Sequence, residues 1–158
     1  MDDVTWVFAN YDWDAVLKLL QDSFAYMDGR IDPPSSVRRL TAQQIADFAC
    51  DEQLLVIENG NKTPVACAFL SEKPDCIYIG KLAVAKRYRG RGYAKQLIAY
   101  AEKMARNQGF SYLELQTRIE LTENHVAFAR YGFRKTAEGR HPGFERTTEI
   151  TMRKLVSK

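Results

Sequence analysis

The stretch RYRGRGYAKQ, Arg87 to Gln96, packs four basic side chains and two glycines into ten residues. That composition suits nucleic-acid binding, a phosphate cradle or a plain surface turn, and the flanking sequence chooses among them. Upstream, CIYIGKLAVAK (Cys76–Lys86) is mostly apolar and aromatic, which predicts a central strand covered on both faces. Downstream, Ala94, Leu97, Ile98, Ala101, Met104 and Ala105 recur at helical spacing and predict a long helix that stops near Gly109. The loop therefore opens a helix. A helix N-terminus leaves backbone N–H groups unpaired and carries about half a positive charge. Gly90 and Gly92 remove side chains that would block close approach, so successive N–H groups can form a nest around an anion. Arg89 and Arg91 add full charges. The expected ligand is a phosphate or pyrophosphate. The Walker pattern is absent, and the dinucleotide pattern G-x-G-x-x-G begins at Gly90 but meets Lys95 where its third glycine belongs.

Working outward, TWVFA (Thr5–Ala9) reads as a first strand. Asp12 or Asp14 caps a helix whose apolar stripe is Trp13, Val16, Leu17, Leu20, Phe24 and Met27. DGRIDPPSS breaks it, and Thr41 starts a second helix with Ile45, Phe48 and Ala49 on one side. Leu54–Glu58 and Val65–Leu70 flank the turn NGNK as a hairpin. After the long helix come a strand at Tyr112–Thr117, a short helix in NHVAFARYGF, and strands at Phe133–Ala137 and Thr147–Arg153. The predicted order is β-α-α-β-β-β-α-β-α-β-β. The strand-helix-strand series argues for a parallel unit inside a mixed sheet.

The 158 residues suit one domain, and a net charge of +3 is too slight to mark a nucleic-acid binder. Three cysteines, Cys50, Cys67 and Cys76, match no zinc or redox spacing and read as reduced. Two histidines are too few for a metal cluster, so no metal is expected. The acidic N-terminus lacks a signal-peptide pattern, and no apolar run reaches membrane-spanning length. The expectation is a cytoplasmic protein without a membrane or nucleic-acid partner.

RGRGYA (Arg89–Ala94) resembles [QR]-x-x-G-x-[GA], the coenzyme A pyrophosphate loop of the GNAT superfamily of N-acetyltransferases. KLAVAKRYRG before it resembles that family's L-x-V strand and lead-in. ENHVAFARYGF after it looks like the family's EN…Y…GF segment. The similarity runs from about Pro64 to the C-terminus. It implies an α/β GNAT-like fold, a twisted mixed sheet of about six to seven strands flanked by about four helices. Residues 1–63 would form the acceptor-side half of a single domain, and residues 64–158 the acetyl-CoA-binding half.

The resemblance also implies site residues. The backbone of Leu82, Ala83 and Val84 would pair with pantetheine. Arg89, Gly90, Arg91, Gly92, Tyr93 and Ala94 would hold the pyrophosphate, with Asn124 and Phe128 near the arm. The implied reaction moves the acetyl group of acetyl-CoA to a primary amine, on a small molecule or a peptide, by direct attack; no covalent enzyme intermediate is needed. A homodimer is common in the family. The sequence departs from the pattern in two places. Phe128 stands where many members carry the tyrosine that protonates the leaving thiolate, and Tyr131 is the nearest phenol. Tyr78 stands where histone-modifying members carry a glutamate base. Tyr78, Glu72 and Tyr131 are the catalytic candidates, with Glu114 a further carboxylate to consider. His125, beside Asn124, reads more readily as structural. Phe24, Tyr26, Met27 and Ile31, with DPPSS, fall in the region that shapes the acceptor pocket in this family. Two other functions are consistent with the sequence: a sensor of this fold that binds acetyl-CoA without turnover, and a nucleic-acid binder using the basic loop.

Overall fold

A computed structural model describes residues 4–7 and 10–156. Seven strands form one sheet: β1 (Val4–Val7), β2 (Gln53–Glu58), β3 (Pro64–Glu72), β4 (Cys76–Val84), β5 (Tyr112–Arg118), β6 (Arg134–Gly139) and β7 (Glu149–Leu155). Four α-helices accompany them: α1 (Trp13–Phe24), α2 (Ala42–Asp51), α3 (Tyr93–Asn107) and α4 (Thr122–Arg130). The element order is the one the sequence predicts. Of the expected first strand, Phe8 and Ala9 lie outside the described residues.

The spatial order is β1-β2-β3-β4-β5-β7-β6, and only the β4–β5 pair is parallel. β4 is thus central, as its apolar composition predicts. The α3 side of the sheet is packed by Leu55, Ala68, Ile77, Ile79, Leu113, Leu115, Ile150 and Met152 against Leu97, Ile98 and Ala101. On the other side Leu54, Val56, Cys67, Phe69 and Ala83 meet Val16, Leu20 and Ile45 from α1 and α2. Each buried Leu, Ile or Phe contributes about 1.5–3 kcal/mol by leaving water, so these two layers fix the sheet between its helices.

Local signals set the helix ends. Asp12 Oδ1 accepts from the Ala15 N–H at 3.1 Å and caps α1. The helix buries Val16, Leu19, Leu20 and Ser23. The sequence stripe put Leu17 inward and ran to Met27; the helix instead ends at Phe24, and residues 25–27 form a 3₁₀ turn. Thr41 forms a complete capping box: Oγ1 accepts from Gln44 N–H at 3.2 Å, and Gln44 Oε1 accepts from Thr41 N–H at 2.9 Å. Thr41→Ala is expected to cost about 1 kcal/mol. That is a fall of roughly 2–4 °C in Tm, readable by thermal unfolding followed by circular dichroism.

The hairpin turn is held by Asn59, whose Oδ1 accepts from the N–H groups of Asn61 (2.9 Å) and Thr63 (3.1 Å). Among the described residues no helix is long and apolar enough to cross a membrane.

Candidate active site

The parallel pairing of β4 and β5 covers three residues on each strand, Cys76–Tyr78 against Tyr112–Glu114, and then stops. Beyond it the strands part. The gap opens into an 810 Å³ cavity lined by Tyr78 to Val84 from β4 and Leu115 to Arg118 from β5. At one end stand Arg89, Gly90, Gly92, Tyr93 and Ala94. Asn124, Phe128 and Tyr131 of the α4 region form one wall, and Ser23, Phe24, Tyr26 and Met27 another.

A β-bulge lies in the middle of this gap. Phe69 pairs with Gly80 and Cys67 with Ala83, so Lys81 and Leu82 together face Ala68. Lys81 takes the left-handed conformation, φ +50°, a state that costs a non-glycine residue about 1–3 kcal/mol. Its contacts offset that cost. The ammonium sits 4.2 Å from the Phe48 ring centre and 5.4 Å from that of Phe69, and its carbonyl accepts from Cys67 Sγ at 3.7 Å. The bulge turns β4 backbone away from the β3 ladder where β5 has already left.

The glycine loop is built as the sequence suggests. Gly90 and Gly92 both have φ +81°, and Gly92 is the N-cap of α3. No side chain caps this helix. A Cβ built on either glycine would meet nothing within 4 Å, so the space in front of the loop is open. The arginines have other work. Arg89 Nε donates to the Val84 carbonyl and Nη2 to the Ser23 carbonyl, both at 3.3 Å, tying the loop to β4 and α1. Arg91 lies over the Tyr88 ring at 4.8 Å and does not line the cavity. Tyr88 in turn stacks on Tyr93, with ring centres 6.1 Å apart. Ser23 Oγ is buried at the cavity edge without a hydrogen-bond partner among the described residues. An open glycine nest and an orphaned hydroxyl fit a phosphorylated, amide-bearing ligand.

The predicted site residues divide by position. Tyr78 and Tyr131 line the cavity; Glu72 does not, standing exposed at the end of β3 in register with Ile77. The Tyr78 hydroxyl donates to Gln116 Oε1 at 3.3 Å. Burial first, then the carboxylates of Glu149, Glu114 and Glu52, push this phenol up to about 12. It therefore stays protonated near neutrality and serves as a donor. Asn124 Nδ2 donates to the Tyr26 hydroxyl at 3.2 Å, joining two walls. Phe128 lines the cavity and packs edge-on against Phe133 at 6.0 Å. His125 faces away from it, donating from Nε2 to the Arg118 carbonyl at 2.9 Å. Ile31 is buried but outside the lining, whereas Phe24, Tyr26, Met27, Ser35 and Ser36 belong to it. Glu114 is tied to Lys73 and Arg153, away from the cavity.

The sequence reading misses His141 and Glu149, which also line the cavity, and Gln116 to Arg118. They enter through pairings distant in sequence: β7 beside β5 sets Glu149 opposite Arg118. The readable signal was alternation along β7, where Glu149, Thr151 and Arg153 share a face opposite the buried Ile150 and Met152.

Among curated protein sequences none matches this chain. Solved structures do. An acetyltransferase of the GNAT family from Staphylococcus aureus Mu50 is 14% identical over 99% of this chain and 100% of its own, with a TM-score of 0.77. The ribosomal-protein-S18-alanine N-acetyltransferase of Escherichia coli is 16% identical over 100% and 96%, TM-score 0.73. A GNAT family acetyltransferase from Elizabethkingia anophelis, with acetyl-CoA bound, is 19% identical over 98% and 97%, TM-score 0.67. At such identities the likeness establishes the fold. The family follows from the sequence itself: residues 13–133 match the model of the acetyltransferase (GNAT) family, and with its forked sheet and glycine nest the chain belongs to that family.

Proposed function

We propose that this protein transfers the acetyl group of acetyl-CoA to a primary amine by direct attack on the thioester. The observation that carries the reading is the fork between β4 and β5, which ends at an open nest on the α3 N-terminus. Backbone groups of Leu82, Ala83 and Val84 would receive the pantetheine arm as an added strand. The N–H groups of Arg89 to Ala94 would hold the pyrophosphate. Asn124 and Phe128 would flank the arm, and Ser23 Oγ offers one polar contact. A backbone N–H near the Lys81 bulge suits the oxyanion of the tetrahedral intermediate. Positioning two bound reactants supplies much of the remaining acceleration. Tyr131, three residues after Phe128 and in the cavity lining, is the candidate phenol to protonate the thiolate. A thiol with a pKa of about 8.5 is a fair leaving group even without it. Acetyl-CoA bound to a structural neighbour supports the ligand, and the family supports the transfer.

Acetyl-CoA at 100 times its Kd is expected to add about 2.7 kcal/mol, a rise in Tm of roughly 5–10 °C. Thiol release on a panel of primary amines tests turnover. No thermal shift at millimolar acetyl-CoA would refute the reading. A shift without thiol release on any amine would make the protein a sensor.

A further inference from the structure

We infer that His141 and Glu149 form the site for the acceptor amine in its ammonium form: Glu149 holds the charge and His141 Nε2 takes the proton. This rests on the acetyltransferase reading and names the acceptor end of the same cavity. Both side chains line it, together with Tyr78 and Gln116.

The fold keeps this carboxylate clear. β6 sets Gly139 opposite Glu149. A Cβ on Gly139 would stand 3.2 Å from Glu149 Oε1, so the glycine leaves room for the carboxylate. The neighbouring arginines make their hydrogen bonds elsewhere. Arg118, across the ladder on β5, donates Nη1 to the Pro33 carbonyl at 2.6 Å and Nη2 to the Pro34 carbonyl at 3.4 Å. Arg146, in the β6–β7 loop, reaches the Asp32 carbonyl at 2.6 Å and Glu120 at 3.5 Å. Glu138 on β6 is paired with Lys135 and Thr147, and Tyr78 on β4 is a neutral phenol. The other carboxylate in the lining, Glu123, is bridged to Arg30 at 2.8 Å. Among the described residues no lysine or arginine stands within salt-bridge distance of Glu149; Arg118 feels its charge from across the ladder, and His141 Nε2 lies 4.0 Å from its carboxylate.

The inferred role uses the imidazole tautomer with its proton on Nδ1, for which Thr148 offers an acceptor. Thr148 Oγ1 accepts from His141 N–H at 2.8 Å and lies 2.6 Å from His141 Nδ1, and its own hydroxyl is directed to the Gly139 carbonyl at 3.5 Å. In that tautomer the Thr148 proton goes to the Gly139 carbonyl, Nδ1–H donates to Oγ1, and Nε2 presents a lone pair. An ammonium nitrogen about 2.9 Å from both Nε2 and the Glu149 carboxylate would subtend an angle of roughly 90°, which two of its N–H bonds can meet.

The proton balance is complete. R–NH₃⁺ gives one proton to Nε2, and the freed lone pair forms the C–N bond. The carbonyl electron pair moves to oxygen and returns as the C–S bond breaks. The second nitrogen proton passes to the thiolate, and the imidazolium returns its proton to water. The products are the amide, the thiol and one proton.

The protein has two histidines, so the His141 imidazole is easily distinguished by NMR. Butylammonium chloride, with sodium chloride as the matched control, should move the His141 signals and leave those of His125 in place. Glu149→Gln should abolish the movement while leaving the thermal shift with acetyl-CoA intact. With the amine turned over fastest, His141→Gln should lower kcat/KM about 10²–10⁴-fold near neutrality. The deficit should shrink as pH rises toward the amine's own pKa. Glu149→Gln should raise KM for the amine at least about tenfold. An imidazole blind to butylammonium, or a His141→Gln deficit equal at every pH, would overturn the assignment. A normal acetyl-CoA shift alongside either result would leave the cofactor reading standing, whereas a missing shift would remove that reading first.

Discussion

Gly92→Val is expected to weaken acetyl-CoA binding about 100-fold, and Arg91→Ala by no more than about fivefold. Gly92 is the N-cap of α3 at φ +81°. Valine is β-branched and carries a penalty of about 1–3 kcal/mol in that region. Leu97, Ile98 and Ala101, buried on the sheet, hold the helix in place, so the loop rather than the helix must relax. Relaxation turns the N–H groups of the nest away from the anion, and the new side chain projects into the open space in front of it. Arg91 offers one exposed charge that already rests on Tyr88, and an exposed ion contact is worth about 0–1 kcal/mol. Isothermal titration of both variants with acetyl-CoA measures the difference, and circular dichroism checks that α3 persists. Equal losses would mean that charge, not backbone, holds the pyrophosphate.

That contrast shows what sequence can carry. Glycines at 90 and 92 are informative alone because their conformation is local. So are the Asp12 and Thr41 caps and the apolar stripe of α3. Strand order is different. Nothing within residues 112–118 or 149–155 states that these segments pair, and their pairing brings Glu149 to the cavity. The same holds for His141, which depends on the β6–β7 hairpin and on Thr148. The Lys81 bulge is equally hidden: a lysine at φ +50° becomes tolerable through Phe48, Phe69 and Cys67, three residues from two other elements, α2 and β3. Glu72 illustrates the converse error. A carboxylate near the end of a strand looks available, but its register sets it opposite Ile77, in solvent at the paired end of β4 and away from the fork.

Glu114 allows a sharper separation of structural from chemical carboxylates. Glu114→Gln is expected to lower stability at pH 7 by about 2–3 kcal/mol while leaving kcat of the folded protein within about twofold. Its side chain is 7% exposed. Lys73 Nζ donates to Oε1 at 2.5 Å, and Arg153 Nε donates to Oε2 at 2.8 Å. Arg153 continues the chain of charges to Asp75 at 2.7 Å. Burial pushes the Glu114 carboxyl up, but the hydrogen bonds and charges of Lys73 and Arg153 outweigh it and hold the group below its ordinary value of 4.5. A lowered pKa in the folded state means that its stabilisation is fully present above about pH 4.5. It disappears as pH falls through the lower folded value. The glutamine variant lacks this titration. Its stability should therefore approach that of the parent protein in acid and fall behind it as pH rises to neutrality. Urea unfolding between pH 3 and 7 measures the gap. A constant gap would remove the Lys73–Glu114–Arg153 network as its source. A large loss of kcat with stability intact would move Glu114 from the scaffold into the chemistry and weaken the case for His141 as the proton acceptor.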